Sequence, residues 1–272
     1  MIQYFQSKLN EIKCNYSLAL EKNDIDGVHD LRVAIKRMKA FFNLVESISG
    51  NFNARKNFKN FRKIAKNTRD LRDSQVQQIL LKKMQSKLNL NINEYETFLK
   101  NGEIENMESF RNFSAQETVK KLDEGKEIIS RALKNISRIH GETKAQGRFY
   151  NLRNDLILLS SESDLKDEIL HKVRILSKET HYTLEIVQQC FHLFDDGNEF
   201  IKGIKKVHQA LGKWHDFDVS LIYMGNFLNN YSGDVPAKIH NQLKQHILEE
   251  KRKLNRNFRT VLDEFKQIAV LL

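Results

Sequence analysis

The chain has 272 residues with one proline and 11 glycines; so few breakers argue against a sheet-rich fold with many tight turns and for long helices. Its 45 Lys and Arg outnumber 35 Asp and Glu, a formal charge of +10, which favours a polyanionic partner: nucleic acid, an anionic membrane surface or a phosphate polymer. Cys14 and Cys190 offer neither a disulfide framework nor zinc-ligand spacing, no run approaches the ~18 apolar residues of a membrane span, and the N-terminus lacks a signal-type apolar core, so a soluble, cytoplasmic protein without a cofactor is expected.

From about Gln3 to Leu20, the spacing of Phe5, Leu9, Ile12, Leu18 and Leu20 predicts an amphipathic helix. Asn23, Asp24 and Asp26 supply loop and capping chemistry before a second helix. That helix carries His29-Asp-Leu-Arg32-Val-Ala-Ile-Lys36-Arg37-Met-Lys39, runs to Ile48 and stops at Ser49-Gly50. At ~100° per residue, His29, Arg32, Lys36 and Lys39 fall within an arc of ~80°, a basic stripe ~15 Å long. Leu31, Ala34, Met38, Phe41, Phe42, Val45 and Ile48 occupy the opposite, core-facing side. A long helix from Phe52 to Met84 bears a second stripe, Lys59, Arg62, Lys66 and Arg69, interrupted by Asp70-Leu-Arg72-Asp73. Asn89 to Asn93 and Asn101-Gly102 read as loops around a shorter helix. A helix from Ile104 to Ile139, broken near Phe113-Ser114, is closed by His140-Gly141.

The pattern then restarts. Lys144 to Leu159 is a helix, Ser161 to Ser163 a loop, and Asp164 to Phe194 a helix carrying His171-Lys-Val-Arg174-Ile-Leu-Ser-Lys178-Glu-Thr-His181. Its core side holds Val173, Leu176, Leu184, Val187, Phe191 and Phe194. Asp195-Asp196-Gly197-Asn198 is a turn, Glu199 to Asn229 a helix, Tyr231 to Pro236 a loop, and a last helix reaches Ile268. His171 follows His29 by 142 residues and Asp216 follows Asp73 by 143. Two matched segments at nearly one offset imply an internal repeat. The expected architecture is all-α: two helical bundles of about four helices, residues 1–141 and 142–272, packed together about a pseudo-two-fold axis.

The two His-x-x-Arg-x-x-x-Lys stretches resemble the signature of the CHAD domain, the "conserved histidine α-helical domain". Ala210-Leu-Gly-Lys-Trp-His215-Asp216-Phe-Asp218-Val219 is similar to that family's Leu-Gly-x-x-Arg-Asp-x-Asp-Val element, and Thr68-Arg-Asp-Leu-Arg72-Asp73-Ser-Gln75-Val76 is a looser counterpart. The resemblance spans nearly the whole chain. It implies two antiparallel four-helix bundles, non-enzymatic binding of inorganic polyphosphate in a basic groove or pore, and association with polyphosphate granules and their proteins. The chain departs from the pattern at His215, which replaces an arginine, at Gln75, which replaces an aspartate, and at Glu179, where a second cation is expected beside Lys178. The Glu-x-Glu-x-Lys signature of the triphosphate tunnel domain often joined to this family is absent from the sequence.

Polyphosphate is a flexible thread with about one negative charge per internal phosphate. Binding it calls for a row of cations, Arg as a two-pronged fork and Lys as a mobile point charge. The expected row comprises Arg32, Lys36, Lys39, Arg62, Lys66 and Arg69 from the first half and Arg174, Lys178, Lys202, Lys205 and Lys213 from the second. His29 and His171 head the two stripes, either as core-edge hydrogen-bonding groups or as ligands that charge when the polyanion binds, tightening it as pH falls through about 6.5. Asp73 and Asp216 are expected to orient the cations beside them. Nucleic acid is the alternative ligand for the same cations, although the aromatics fall on core faces and not between them. A phosphohydrolase is the third reading, and neither a glycine-rich phosphate loop nor a metal-ligand motif supports it.

Overall fold

The structure, a computed structural model, describes residues 1–21, 25–88, 92–113, 119–194, 197–230 and 237–270. Among these residues every regular element is a helix. They are α1 (Ile2–Glu21), α2 (Ile25–Ile48), α3 (Ala54–Asn57), α4 (Lys59–Asn67), α5 (Arg69–Leu88), α6 (Asn93–Asn112), α7 (Glu124–Leu133), α8 (Arg138–Ser160), α9 (Asp167–Phe191), α10 (Asn198–Asn230) and α11 (Ala237–Val270). No described helix is long and apolar enough to cross a membrane.

Apolar spacing explains most of these elements. The seven core-facing residues of α2 are all buried. On α9, Val173, Leu184, Val187 and Phe191 are buried, and Leu176 and the following Phe194 pack partly against the same interior. Four antiparallel helical hairpins result. Tyr4 at the start of α1 stacks on Phe41 late in α2. Arg148 of α8 pairs with Glu179 of α9. Gln78 of α5 bonds Glu103 of α6, and Phe200 early in α10 meets Phe265 late in α11. In this last hairpin, a Cβ at Gly203 would lie 3.1 Å from Ile268, so glycine permits the close approach of the two helices.

Several boundaries differ from the sequence reading. The expected helix from Phe52 to Met84 is three helices. Phe58 and Thr68 sit at φ/ψ of −80/2° and −98/1°. Phe58 leaves the helical path to stack on Phe61 and pack against Phe42. At the second break the buried Thr68 hydroxyl lies within hydrogen-bonding reach of the Ile64 and Ala65 carbonyls, competing with the backbone ladder. Asn101-Gly102 is no loop: α6 runs through it, held by the buried face of Tyr95, Leu99, Met107 and Phe110, and packing overrides weak local propensity. His140-Gly141 opens a helix instead of closing one. Ser137 caps α8 by accepting from the His140 backbone N–H, and Gly141 is buried against Phe191. The expected features at Asn23-Asp24, Asn89 to Asn91, Ser114, Asp195-Asp196 and Tyr231 to Pro236 lie outside the described residues.

Three apolar clusters form the interior. One gathers α1 to α4 with parts of α5 to α9. A second joins α8 to α11. The third brings Leu81, Met84, Tyr95 and Leu99 of α5 and α6 together with Met224, Phe227, Leu243 and Ile247 of α10 and α11. The first and third therefore take residues from both sides of position 141.

Two antiparallel helix crossings position the site. α2 crosses α9 through Arg37 with Glu185 at 3.3 Å and Asn43 with Glu179 at 3.1 Å. That places Ala40 beside Tyr182, its equivalent at the 142-residue offset. α5 crosses α10 where the Ser220 hydroxyl donates to the Gln77 side-chain oxygen at 2.5 Å, and these two are equivalents at the 143-residue offset. Residues facing their own repeat partners at both crossings mark the path of a pseudo-two-fold axis.

Candidate functional site

Between the two crossings lies an open cavity of about 440 Å³. α2 contributes His29, Arg32, Lys36, Lys39, Ala40 and Asn43, and α9 contributes Arg174, Ile175, Lys178, Glu179 and Tyr182. α5 adds Arg69, Arg72, Asp73 and Val76, and α10 adds Gly212, His215 and Asp216. Each helix directs its core residues to one side and its cations to the other, so helix packing itself gathers the basic stripes.

The lining holds seven lysines and arginines against three carboxylates, and one of those, Glu179, is already engaged by Arg148 and Asn43. The remainder is a concentration of positive charge with apolar walls, where fields are stronger than in open water. Arg32 is anchored at the break between α4 and α5: its Nη1 donates to the Ala65 carbonyl at 2.8 Å and to Thr68 Oγ1 at 3.3 Å. Arg72 Nη1 reaches the Ile25 carbonyl at the start of α2. Arg174 Nε is buried and has no hydrogen-bond partner among the described residues.

The protonation equilibria record this crowding. Burial, reinforced by Arg32 and Arg174, pushes Lys36 down to about 8. Burial with Lys36 and Arg174 pushes Lys178 down to about 7. Burial also lowers Arg32 and Arg174, opposed by Asp73 and Asp216. The two aspartates are raised, because burial outweighs the attraction of the neighbouring arginines. His215 is held down to about 4 by burial and then by Arg174, and His29 is lowered by burial and then by Arg72. The site in its free state therefore carries ammonium and guanidinium groups at a cost that an incoming anion would relieve.

Of the thirteen residues expected to bind ligand, His29, Arg32, Lys36, Lys39, Arg69, Arg174 and Lys178 line this cavity. The other six do not. Arg62 and Lys205 lie on the cavity-facing side of their helices but two turns away, ~10 Å by helical rise; Arg62 is exposed and donates to the Arg55 carbonyl. Lys66 is exposed beside a separate shallow pocket with Asp70 and Asn106. Lys202 pairs with Glu199, and Lys213 is exposed, one position round from the cavity-lining Gly212. The His171 ring lies 6.1 Å from that of His215, outside the lining. Conversely, Arg72 was missing from the expected set. Its signal was available: Arg72 adjoins Asp73 and aligns with His215 at the repeat offset.

The repeat contributes unequally. Arg69 is matched by Gly212 and Arg72 by His215. The residue matching Lys39 is His181, buried 3.2 Å from Glu185. Arg37 is occupied by Glu185, Glu11 and the Tyr182 ring. Five of the seven cations thus come from the first half. Among the described residues no three His, Cys, Asp or Glu side chains converge in a metal-ligating group.

The family model of the CHAD domain matches residues 3–223. The chain belongs to the CHAD domain family. A crystal structure of the CHAD domain from the plant Ricinus communis shares 15% sequence identity with this CHAD chain, covers 100% of it and 90% of its own length, and superposes with a TM-score of 0.77. At that identity the likeness carries the fold. No curated protein matches the sequence.

Proposed function

We propose that this CHAD chain binds inorganic polyphosphate, without catalysis, in the cavity between the α2–α9 and α5–α10 crossings. The observation that carries this reading is the convergence of seven lysines and arginines from four helices on one solvent-open space, two of the lysines with strongly depressed proton affinity. A phosphate thread supplies the charge the cavity lacks, and arginine forks grip its non-bridging oxygens. Tyr182 is the one Phe, Tyr or Trp ring in the lining, so successive bases would find no stacking platform. Association with polyphosphate granules and a cytoplasmic location belong to the same proposal.

The test is a pair of charge reversals, Arg32→Glu with Arg174→Glu. Binding of labelled long-chain polyphosphate, followed by fluorescence anisotropy, is expected to be lost while the helical circular dichroism persists. Unlabelled polyphosphate should displace a bound oligonucleotide at far lower concentration than the reverse. Retained binding in the double variant would place the site elsewhere, and preferential retention of nucleic acid would favour that ligand.

A further inference from the structure

Lys178 differs from the other cavity cations in its surroundings. It makes no hydrogen bond or ion pair among the described residues, whereas Arg32 and Arg72 are tied to backbone carbonyls. It is partly exposed to the cavity and faces Lys36, Arg174 and Arg32, with Asp216 as the opposing carboxylate and the buried His208 and His215 nearby. Its amine is pushed down to about 7, so at pH 7.5 about three quarters of it is uncharged, against on the order of 0.1% for an ordinary lysine. Desolvation and adjacent cations are what turn a lysine into a nucleophile.

We propose that Lys178 is a covalent modification site for small acyl phosphates, whose phosphate the neighbouring arginines hold while the lysine amine attacks the acyl carbon. The new bond is the amide C–N. The bond broken is the acyl C–O to phosphate, inorganic phosphate leaves, and the proton released by nitrogen is taken up by the departing phosphate. No oxidant or metal is required for this balance. Acylation fixes Lys178 as neutral and fills the cavity, so it lowers polyphosphate affinity. The inference rests on the cavity's proposed affinity for phosphate groups.

The full chain is incubated with acetyl phosphate between pH 6.5 and 9, and each lysine is followed by peptide mass spectrometry. Lys178 is expected to react at least about tenfold faster than exposed Lys205 at pH 7.5. The excess of free amine is several-hundred-fold, and weaker basicity takes back part of it, as it does for thiols. Long-chain polyphosphate should protect Lys178, Arg174→Gln and Arg32→Gln should each erase the preference, and acetic anhydride, which carries no phosphate, should show less of it. Equal rates at Lys178 and Lys205, a preference that survives both arginine changes, or one equally large with anhydride would overturn the proposal. If Lys178 stays unmodified while polyphosphate still binds, this inference alone falls; if polyphosphate neither binds nor protects, the binding reading falls with it.

Discussion

Lys36 and Lys178 set the pH response expected of the site. In the free protein they are held at about 8 and about 7, and a bound polyanion favours their charged forms, so binding takes up protons. Affinity therefore rises as pH falls through the window from about 8 to about 7. Between pH 9 and pH 6.5 the dissociation constant for polyphosphate at fixed ionic strength should drop by about tenfold or more, one pKa unit being a factor of ten. Lys36→Met with Lys178→Met should flatten that dependence in anisotropy titrations, and an unchanged slope in the double variant would refute the assignment. Histidine chemistry would have placed this window near 6.5. Gln75 makes a second case at this scale. It stands where the family pattern has an aspartate, and both polar atoms of its buried side chain lack partners among the described residues. Replacing an unsatisfied buried amide with an apolar group of similar shape is neutral or favourable, so Gln75→Met should hold or raise the melting temperature. A fall of several degrees would mean that the amide is satisfied in solution.

The helices themselves show what periodicity can and cannot carry. The core faces of α2 and α9 were legible because burial fixes one side of a helix over many turns. The breaks at Phe58 and Thr68 were not, since no glycine or proline marks them; they arise from aromatic packing and a side-chain hydrogen bond made only in the fold. That missed break also explains part of the missed site. A continuous helix would carry the stripe from Lys59 to Arg69 as one face, whereas the cavity takes only Arg69 of that stripe and continues along Arg72 and Asp73. Arg32 depends on the same break. Thr68→Ala removes one of its two anchors and a fully buried hydroxyl, at a cost of about 1–2 kcal/mol, so a lower thermal midpoint and weaker polyphosphate binding should appear together. A raised midpoint would show that the hydroxyl does not hold the break.

For the whole molecule, the repeat arithmetic located both helix crossings before any contact was known, because an offset of 142 or 143 residues pairs Ala40 with Tyr182 and Gln77 with Ser220. It did not reveal how the interior is shared. With the first and third apolar clusters drawing on both halves, neither half can unfold without exposing the other. A single calorimetric transition with matching calorimetric and van't Hoff enthalpies is the expected result. Two separable transitions would count against this coupling.

The crossing of like helices about an axis has a bearing on the polymer itself. The interior of a polyphosphate strand looks the same from both termini, while a nucleic acid strand has an inherent polarity. A receptor assembled from two inverted copies of one motif is blind to head and tail in the same way. Such a strand can be threaded from whichever tip arrives first, and it settles closer to the amino-terminal copy, where the denser bank of cations stands.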